Sequence, residues 1–226
     1  MRSKTKTTLG ALLAISSACG LAQAGIASAI ILDDFDSDPN MGAGGPGVFE
    51  TSIFDNPFNN SASFTLDTTL NTGDDVGVLN FNSDAGVGQM ASITYNNNGA
   101  GLDLDAAALN AMAFELGYAF VDQEFFMSLE LVSDLGGAEG TATADFLVPD
   151  GPEGVAQFLL GDFELSALFD LTDVDQVKLS FNIDEEPGGP VRSLDFVASE
   201  FRMIVPSPGA MALLGMGGLV AVRRRR

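Results

Sequence analysis

Apolar side chains recur at every second position in a series of short segments through the middle of the chain. Ala91, Ile93 and Tyr95 form one such series. The other segments lie at 30–35, 76–81, 114–120, 126–132, 144–148, 155–160, 177–183, 194–198 and 201–205. Alternation with period two is typical of half-buried strands, and the segments are separated by turns at roughly ten-residue spacing. The pattern predicts an all-β fold, an antiparallel β-sandwich.

In two of these segments the alternation also predicts which side chains share a face. The first face carries Phe114, Leu116, Tyr118 and Phe120. A less regular series consists of Phe126, Ser128, Glu130 and Val132. Only residues 106–112 and 172–175 show a helical pattern, each of one or two turns. A glycine-rich loop is predicted at 42–47, and no internal repeat or domain boundary interrupts residues 30–204.

The N-terminal segment, residues 1–29, has the pattern of a secretory signal peptide, which is predicted to form a helix. Arg2, Lys4 and Lys6 are followed by a mostly apolar run at 9–21, which is too short to favour a transmembrane anchor. Two small-x-small sites follow, and they predict cleavage after Ala24 or after Ala29. The protein is therefore predicted to engage the secretion machinery.

The C-terminal segment, residues 205–226, combines three features in a fixed order. It begins with Val205, Pro206, Ser207, Pro208 and Gly209, and Ser207 and Pro208 suit the start of a helix. An uncharged stretch follows at 210–222, and the chain ends on Arg223, Arg224, Arg225 and Arg226, which resist crossing a membrane. A helix over 209–222 would be about 21 Å long, shorter than a hydrocarbon core of about 30 Å. These features predict a transient anchor that is held until it is cut, and they leave a buried helix of a soluble domain as the alternative.

This ending resembles the sorting signal of the PEP-CTERM family of exported bacterial proteins. The family's signal is a Pro-Glu-Pro-like motif, a glycine- and leucine-rich transmembrane stretch and a terminal arginine cluster. Ser207 stands here where the family pattern has glutamate. The resemblance implies processing by an exosortase-like membrane protease and delivery to the cell surface or the extracellular matrix.

The predicted exported domain, residues 30–204, is strongly acidic. It contains all 31 acidic residues of the chain, and its basic residues are Lys178, Arg192 and Arg202, which gives a formal charge of 3 − 31 = −28. Such a surface repels nucleic acid and anionic membranes, so nucleic acid is excluded as a partner. The single Cys, at position 19, lies in the signal segment, so the domain cannot form disulfides.

Composition also argues against catalysis. The chain has no His, which removes the usual general base and imidazole metal ligands, and it has no Gly-Lys-Ser/Thr phosphate loop. A pair of carboxylates at glycosidase spacing would arise by chance among 31 acids. No catalytic residue is predicted, and the protein is expected not to be an enzyme.

A second resemblance covers the later part of the domain. Residues 162–163, 169–174, 177–181 and 194–201 resemble the late strands of the jelly-roll domains found in PEP-CTERM proteins. Those domains are similar in shape to carbohydrate-binding jelly rolls, so the resemblance implies extracellular polysaccharide as an alternative partner. Sugar sites usually use exposed Trp or Tyr, whereas this chain has no Trp and only Tyr95 and Tyr118, both predicted to be buried. Its 17 Phe residues are expected to fill the core.

Alternating acids near the start of the domain are the candidate metal ligands. Asp34, Asp36 and Asp38 alternate as in the first half of a calcium-binding loop, although Pro39 stands where an EF-hand needs Gly. The jelly-roll resemblance implies that Asp34, or its neighbour Asp33, could hold a structural Ca²⁺ together with Glu200. The alternative is a solvated acidic turn. Asp170, Asp173 and Asp175 form a second candidate cluster.

Overall fold

The computed structural model describes residues 27–35, 48–67, 77–184 and 190–207. Nearly all of them belong to one compact unit, Ala29–Val205. The other unit, Met1–Ser28 with Pro206–Arg226, lies largely outside the described residues, as do both predicted terminal helices. Within the described ranges, no helix has the length and apolarity needed to cross a bilayer.

The described segments form twelve strands. They are β1 Ala27–Asp33, β2 Val48–Asp55, β3 Ala62–Asp67, β4 Val78–Ser83, β5 Gly88–Tyr95, β6 Ala113–Val121, β7 Phe125–Ser133, β8 Gly140–Val148, β9 Gly154–Leu159, β10 Glu164–Leu165, β11 Val174–Phe181 and β12 Asp195–Pro206. Two short 3₁₀ turns, Asn97–Gly99 and Leu160–Asp162, lie between strands.

The strands pair into two six-stranded sheets. Sheet I has the order β3-β4-β12-β6-β9, with β1 also paired to β12, and sheet II has the order β10-β8-β7-β11-β5-β2. The ladders within both ordered paths are antiparallel. The predicted antiparallel β-sandwich is therefore confirmed.

The core consists of the inward-facing side chains of both sheets. Phe201 of sheet I is fully buried, with its ring centroid 5.9 Å from that of Tyr95 in sheet II and 6.1 Å from that of Phe114. Phe196 of sheet I lies 5.6 Å from Phe181 of sheet II. Burying each such side chain contributes about 1.5–3 kcal/mol, so aromatic contacts between the sheets replace the disulfides that the domain lacks.

One β-bulge reverses the predicted face of Phe120. In the β6–β12 ladder Phe120 pairs with Val197 and Tyr118 with Ala198, which leaves Ala119 without a partner. The extra residue shifts the alternation by one position. Phe120 is therefore 45% exposed while Val121 is buried, and the prediction that Phe120 shares the buried face of Phe114 is wrong.

A second bulge lies opposite the first and joins two predicted strands. Ser199 has no partner in the same ladder, because Ala198 pairs with Tyr118 and Glu200 with Gly117. The alternation therefore changes phase inside β12, and the segments predicted at 194–198 and 201–205 are one continuous strand. In β7 the buried face is formed by Phe125, Met127, Leu129 and Leu131, rather than by the series that begins at Phe126.

Neither predicted helix forms. Residues 106–110 make a single turn, in which the carboxylate of Asp105 accepts a hydrogen bond from the amide of Ala108, and Asn110 ends it with a left-handed φ of 52°. At 172–175 the carboxylate of Asp170 accepts bonds from both the amide and the hydroxyl of Thr172, and β11 begins at Val174. Local side-chain hydrogen bonds thus favour turns over helix at both places.

Candidate functional site

A shallow groove crosses the outer face of sheet II. It has a volume of about 550 Å³ and lies over β2, β5 and β11. The side chains that define it are those of Glu50, Ser52, Met90, Ser92, Lys178 and Ser180. We refer to it as the serine groove.

Serines occupy neighbouring positions on three central strands, and two of these strands, β5 and β11, lie under the groove. Ser180 of β11 pairs with Ser92 of β5 on one side and with Ser128 of β7 on the other. The row continues to Glu50 of β2 and Asp145 of β8. The small serine side chains in the middle of this row leave a depression in the surface, and a carboxylate side chain lies at each end.

The next row along the strands supplies a cation. Lys178 pairs with Thr94 and with Glu130 in the adjacent strands. Opposed side chains in such pairs have Cβ atoms about 5 Å apart, so the side chain of Lys178 starts between one that bears a hydroxyl and one that bears a carboxylate. The serine groove therefore offers hydrogen-bond donors and acceptors on a flat, rigid surface.

Lys178 differs from the other two basic residues of the domain. Arg192 forms an ion pair of 2.5 Å with Asp55, and Arg202 binds Glu115 at 2.8 Å and Glu200 at 2.6 Å. In the described part of the chain Lys178 has no carboxylate within ion-pair distance. Its ammonium group is thus available to a ligand in the groove.

The predicted calcium ligands have other partners where they are described. Asp33 is buried, and its carboxylate accepts hydrogen bonds from the hydroxyl of Tyr95 at 2.8 Å and the amide of Phe35 at 2.9 Å. Glu200 accepts a bond from Arg202. Asp34 is half-buried, and Asp36 and Asp38 lie outside the described residues. A calcium site in this segment stays a prediction.

A different acidic cluster is brought together by the fold. One carboxylate oxygen from each of Asp103, Asp173 and Asp175 lies within 4.8 Å of the others. The sequence grouped Asp170 with Asp173 and Asp175, but Asp170 is not a member, because its carboxylate binds Thr172. Asp103 was missed, since it joins the cluster only through the bridge between Leu104 and Val174, some seventy residues apart in sequence.

Electrostatic repulsion dominates this cluster. The carboxylate of Asp175, followed by burial and the charges of Asp103, Asp170 and Asp134, raises the pKa of Asp173. Asp175 is buried and accepts a hydrogen bond of 2.8 Å from the amide of Leu135. The three oxygens could contribute to a cation site. Asp175 already accepts a hydrogen bond from the amide of Leu135, so its carboxylate also has a structural role.

The predicted sorting residues are described only at their beginning. Val205 and Pro206 are the last two residues of β12, and Val205 is buried. Ser207 follows the strand, and Pro208, Gly209 and the four terminal arginines lie outside the described residues. Of the two predicted cleavage positions, Ala24 is also outside them, and Ala29 lies in β1. Sorting and signal cleavage stay predictions.

The aromatic residues are partly where the sequence places them. Tyr95 and Tyr118 are buried, which confirms the prediction. The expectation that all Phe residues fill the core is wrong, because Phe54, Phe58 and Phe120 are exposed. Alternation could not indicate this, since Phe54 lies in an edge strand, Phe58 lies in the turn that follows it, and Phe120 follows a bulge.

No protein-family model matches the chain, and no curated protein matches it. Solved structures with a similar fold include a family 11 carbohydrate-binding module from Clostridium thermocellum in complex with a β-1,3-1,4-mixed-linked tetrasaccharide. Its sequence is 11% identical, the match covers 77% of this chain and 94% of that chain, and the TM-score is 0.47. A family 30 module from the same organism is 12% identical over 78% and 96% of the two chains, with a TM-score of 0.46. An agarase is 13% identical over 80% of this chain and 25% of its own, with a TM-score of 0.44. The likeness is one of overall fold.

Proposed function

We propose that this protein is an exported, non-catalytic β-sandwich that binds neutral polysaccharide in the serine groove. The observation that carries the proposal is the row of Ser92, Ser180 and Ser128 across three adjacent strands, with Glu50 and Lys178 beside it. Sugar hydroxyls both donate and accept hydrogen bonds, and these groups offer both functions on one rigid surface. The groove is open rather than enclosed, which suits a polymer chain better than a small enclosed ligand.

Charge favours a neutral polymer. The domain carries a formal charge of −28, so a polyanionic glycan would be repelled over most of the surface. Among the described residues that line the groove, Lys178 is the one cation, and Glu130 lies opposite it in the next strand. One ammonium group beside a carboxylate suits a donor to hydroxyl or carbonyl oxygens better than a site for a polyanion.

The absence of catalysis belongs to the same proposal. The chain contains no His, and its only Cys lies in the predicted signal segment. The groove is shallow and open, whereas catalytic carboxylates are held in closed, water-poor sites where their pKa values are shifted. A binding role needs none of these features.

Binding is tested by electrophoresis of the purified full chain through gels that contain hydroxyethyl cellulose, laminarin, galactomannan or alginate. We expect one of the three neutral polymers to retard the wild type, and alginate to leave it unretarded. Ser180→Leu fills the middle of the groove and should lower the affinity at least about tenfold. Asn80→Leu is the matched control, because Asn80 lies on the outer face of sheet I, opposite Val197. Equal retardation of wild type and Ser180→Leu, or no retardation by any neutral polymer, would overturn the proposal.

We also propose export followed by removal of both ends. Its basis is the N-terminal signal pattern and the C-terminal order of Pro206, Pro208, apolar segment and arginines. The intact mass of the extracellular protein tests both cuts together. We expect an N-terminus after Ala24, since β1 begins at Ala27 and would then stay whole, and loss of Arg223–Arg226. Mature protein in the cytosol, or extracellular protein that retains its arginines, would contradict the proposal.

A further inference from the structure

The ring of Phe54 lies on the same face of sheet II as the serine groove. Gly88, Met90 and Ser92 alternate along β5, so a side chain at position 88 would point outward beside Met90. A Cβ atom built on Gly88 would collide with three ring carbons of Phe54. The aromatic ring therefore occupies the place of the missing side chain, one position beyond Met90.

The local backbone explains how an edge-strand residue reaches this place. Phe54 follows Glu50 and Ser52 at every second position of β2, and the register shift between Ile53 and Asp55 leaves it without a partner in the ladder with β5. Asp55 pairs with Gly88 in the ladder and forms the ion pair with Arg192, which itself bridges to Gly88. The alternation of the strand therefore places the ring on the outer face of the sheet, and the contacts of Asp55 hold the chain beside it.

The ring remains accessible although it is packed on glycine. Phe54 is 39% exposed, so one part contacts the backbone of β5 and another part faces solvent. Exposed aromatic rings favour the apolar C–H faces of sugar rings. Among the described residues, the lining of the groove itself has no aromatic side chain except the fully buried Phe181, and Phe54 lies beyond its end, next to Met90.

We propose that Phe54 is the stacking residue of the serine groove and that it determines binding of pyranose rings in a chain running along β5. The proposal rests on the proposed function. Gly88 and Ser92 are four positions apart in β5, which corresponds to about 13 Å along a strand. A glycan would therefore hydrogen-bond to the serines and Lys178 at one end and lie against Phe54 at the other.

The test uses variants that remove or displace the ring. Phe54→Leu keeps an apolar side chain over Gly88 but removes the flat ring, and Gly88→Ala keeps Phe54 but displaces it. We expect each to lower affinity for the retarding polymer about tenfold in the same gels. Phe120→Leu is the matched control, since Phe120 is 45% exposed on sheet I.

A fluorescence readout detects contact independently of affinity. The chain has no Trp, so Phe54→Trp introduces one indole at the site, and its emission should shift when hydroxyethyl cellulose, laminarin or galactomannan binds. Phe120→Trp should give no shift. If Ser180→Leu abolishes retardation while Phe54→Leu binds like the wild type, the stacking role is overturned and the proposed function survives. If no neutral polymer retards the wild type, both are overturned.

Discussion

The hydroxyl of Tyr95 donates a hydrogen bond of 2.8 Å to the carboxylate of Asp33, and both residues are buried. Tyr95 ends β5 in sheet II, and Asp33 ends β1, which pairs with β12 in sheet I. The bond therefore joins the two sheets at one edge of the core. The ring of Tyr95 also stacks on Phe201, so one side chain serves both the polar and the apolar contact between sheets.

Removing the Tyr95 hydroxyl should destabilise the fold. In Tyr95→Phe the buried carboxylate of Asp33 loses a donor, which costs about 1–3 kcal/mol of the free energy of unfolding. The measurement is urea unfolding of the full chain, read from the midpoint at constant slope.

Tyr118→Phe is the control for that measurement. Tyr118 is also buried, but its hydroxyl packs over Gly154 and makes no bond to the carboxylate of Asp33. We expect it to change stability by less than about 0.5 kcal/mol. Equal losses for both variants would show that the bond to Asp33 does not stabilise the fold.

Tyr95 should also make the free energy of unfolding fall at alkaline pH. Burial, and then the charge and hydrogen bond of Asp33, raise the pKa of Tyr95 well above its usual value. The folded state thus binds this proton more tightly than the unfolded state, whose Tyr pKa is about 10. Stability from this group is complete below that pH and is lost as pH rises toward the folded pKa. Unfolding free energies between about pH 9 and 11 should fall for the wild type and fall less for Tyr95→Phe. Parallel profiles would contradict this assignment.

The sequence predicted the sandwich because the central strands alternate cleanly. Ala91, Ile93 and Tyr95 are all buried as their spacing indicates. Phe120 was placed on the wrong face because a single unpaired residue, Ala119, reverses the alternation, and no local signal marks it. Strand β2 was missed, since it lies at a sheet edge with most side chains exposed and shows no apolar period.

The candidate site was less predictable than the fold, because it depends on register. Ser92, Ser128 and Ser180 are far apart in sequence and meet only through two antiparallel ladders. The position of Phe54 depends on the pairing of β2 with β5 and on a glycine in that second strand. Periodicity locates strands, but it does not say which residues of different strands stand opposite each other.

A core substitution should show how strongly stability depends on aromatic contacts between the sheets. Phe201 is fully buried between Tyr95 and Phe114, so Phe201→Ala removes both ring contacts and leaves a cavity. We expect a loss of about 3–5 kcal/mol in unfolding free energy. Phe120→Ala on the outer face of the same sheet should cost less than about 1 kcal/mol. Similar losses for the two variants would mean that the ring of Phe201 is not buried as described.

Removing one negative charge from the cluster of Asp103, Asp173 and Asp175 should stabilise the protein. The neighbouring carboxylates raise the pKa of Asp173, so the ionised form is less favourable in the folded than in the unfolded state. The penalty is absent below the unfolded pKa of about 4 and develops as pH rises. Asp173→Asn should therefore melt at a higher temperature than the wild type at pH 7 and low salt. The difference should shrink near pH 3 and at about 1 M salt, where charges are screened.

Asp162→Asn controls for the overall loss of one negative charge, because Asp162 is exposed and lies outside the cluster. It should raise the melting temperature less than Asp173→Asn does. A bound divalent cation would reverse the result, since the cluster would then be stabilised by the full charge of its three carboxylates. In that case Asp173→Asn would melt below the wild type, and a chelator would lower the melting temperature of the wild type but not of the variant. The sign of the change in melting temperature caused by Asp173→Asn therefore distinguishes a repulsive acidic cluster from a structural metal site.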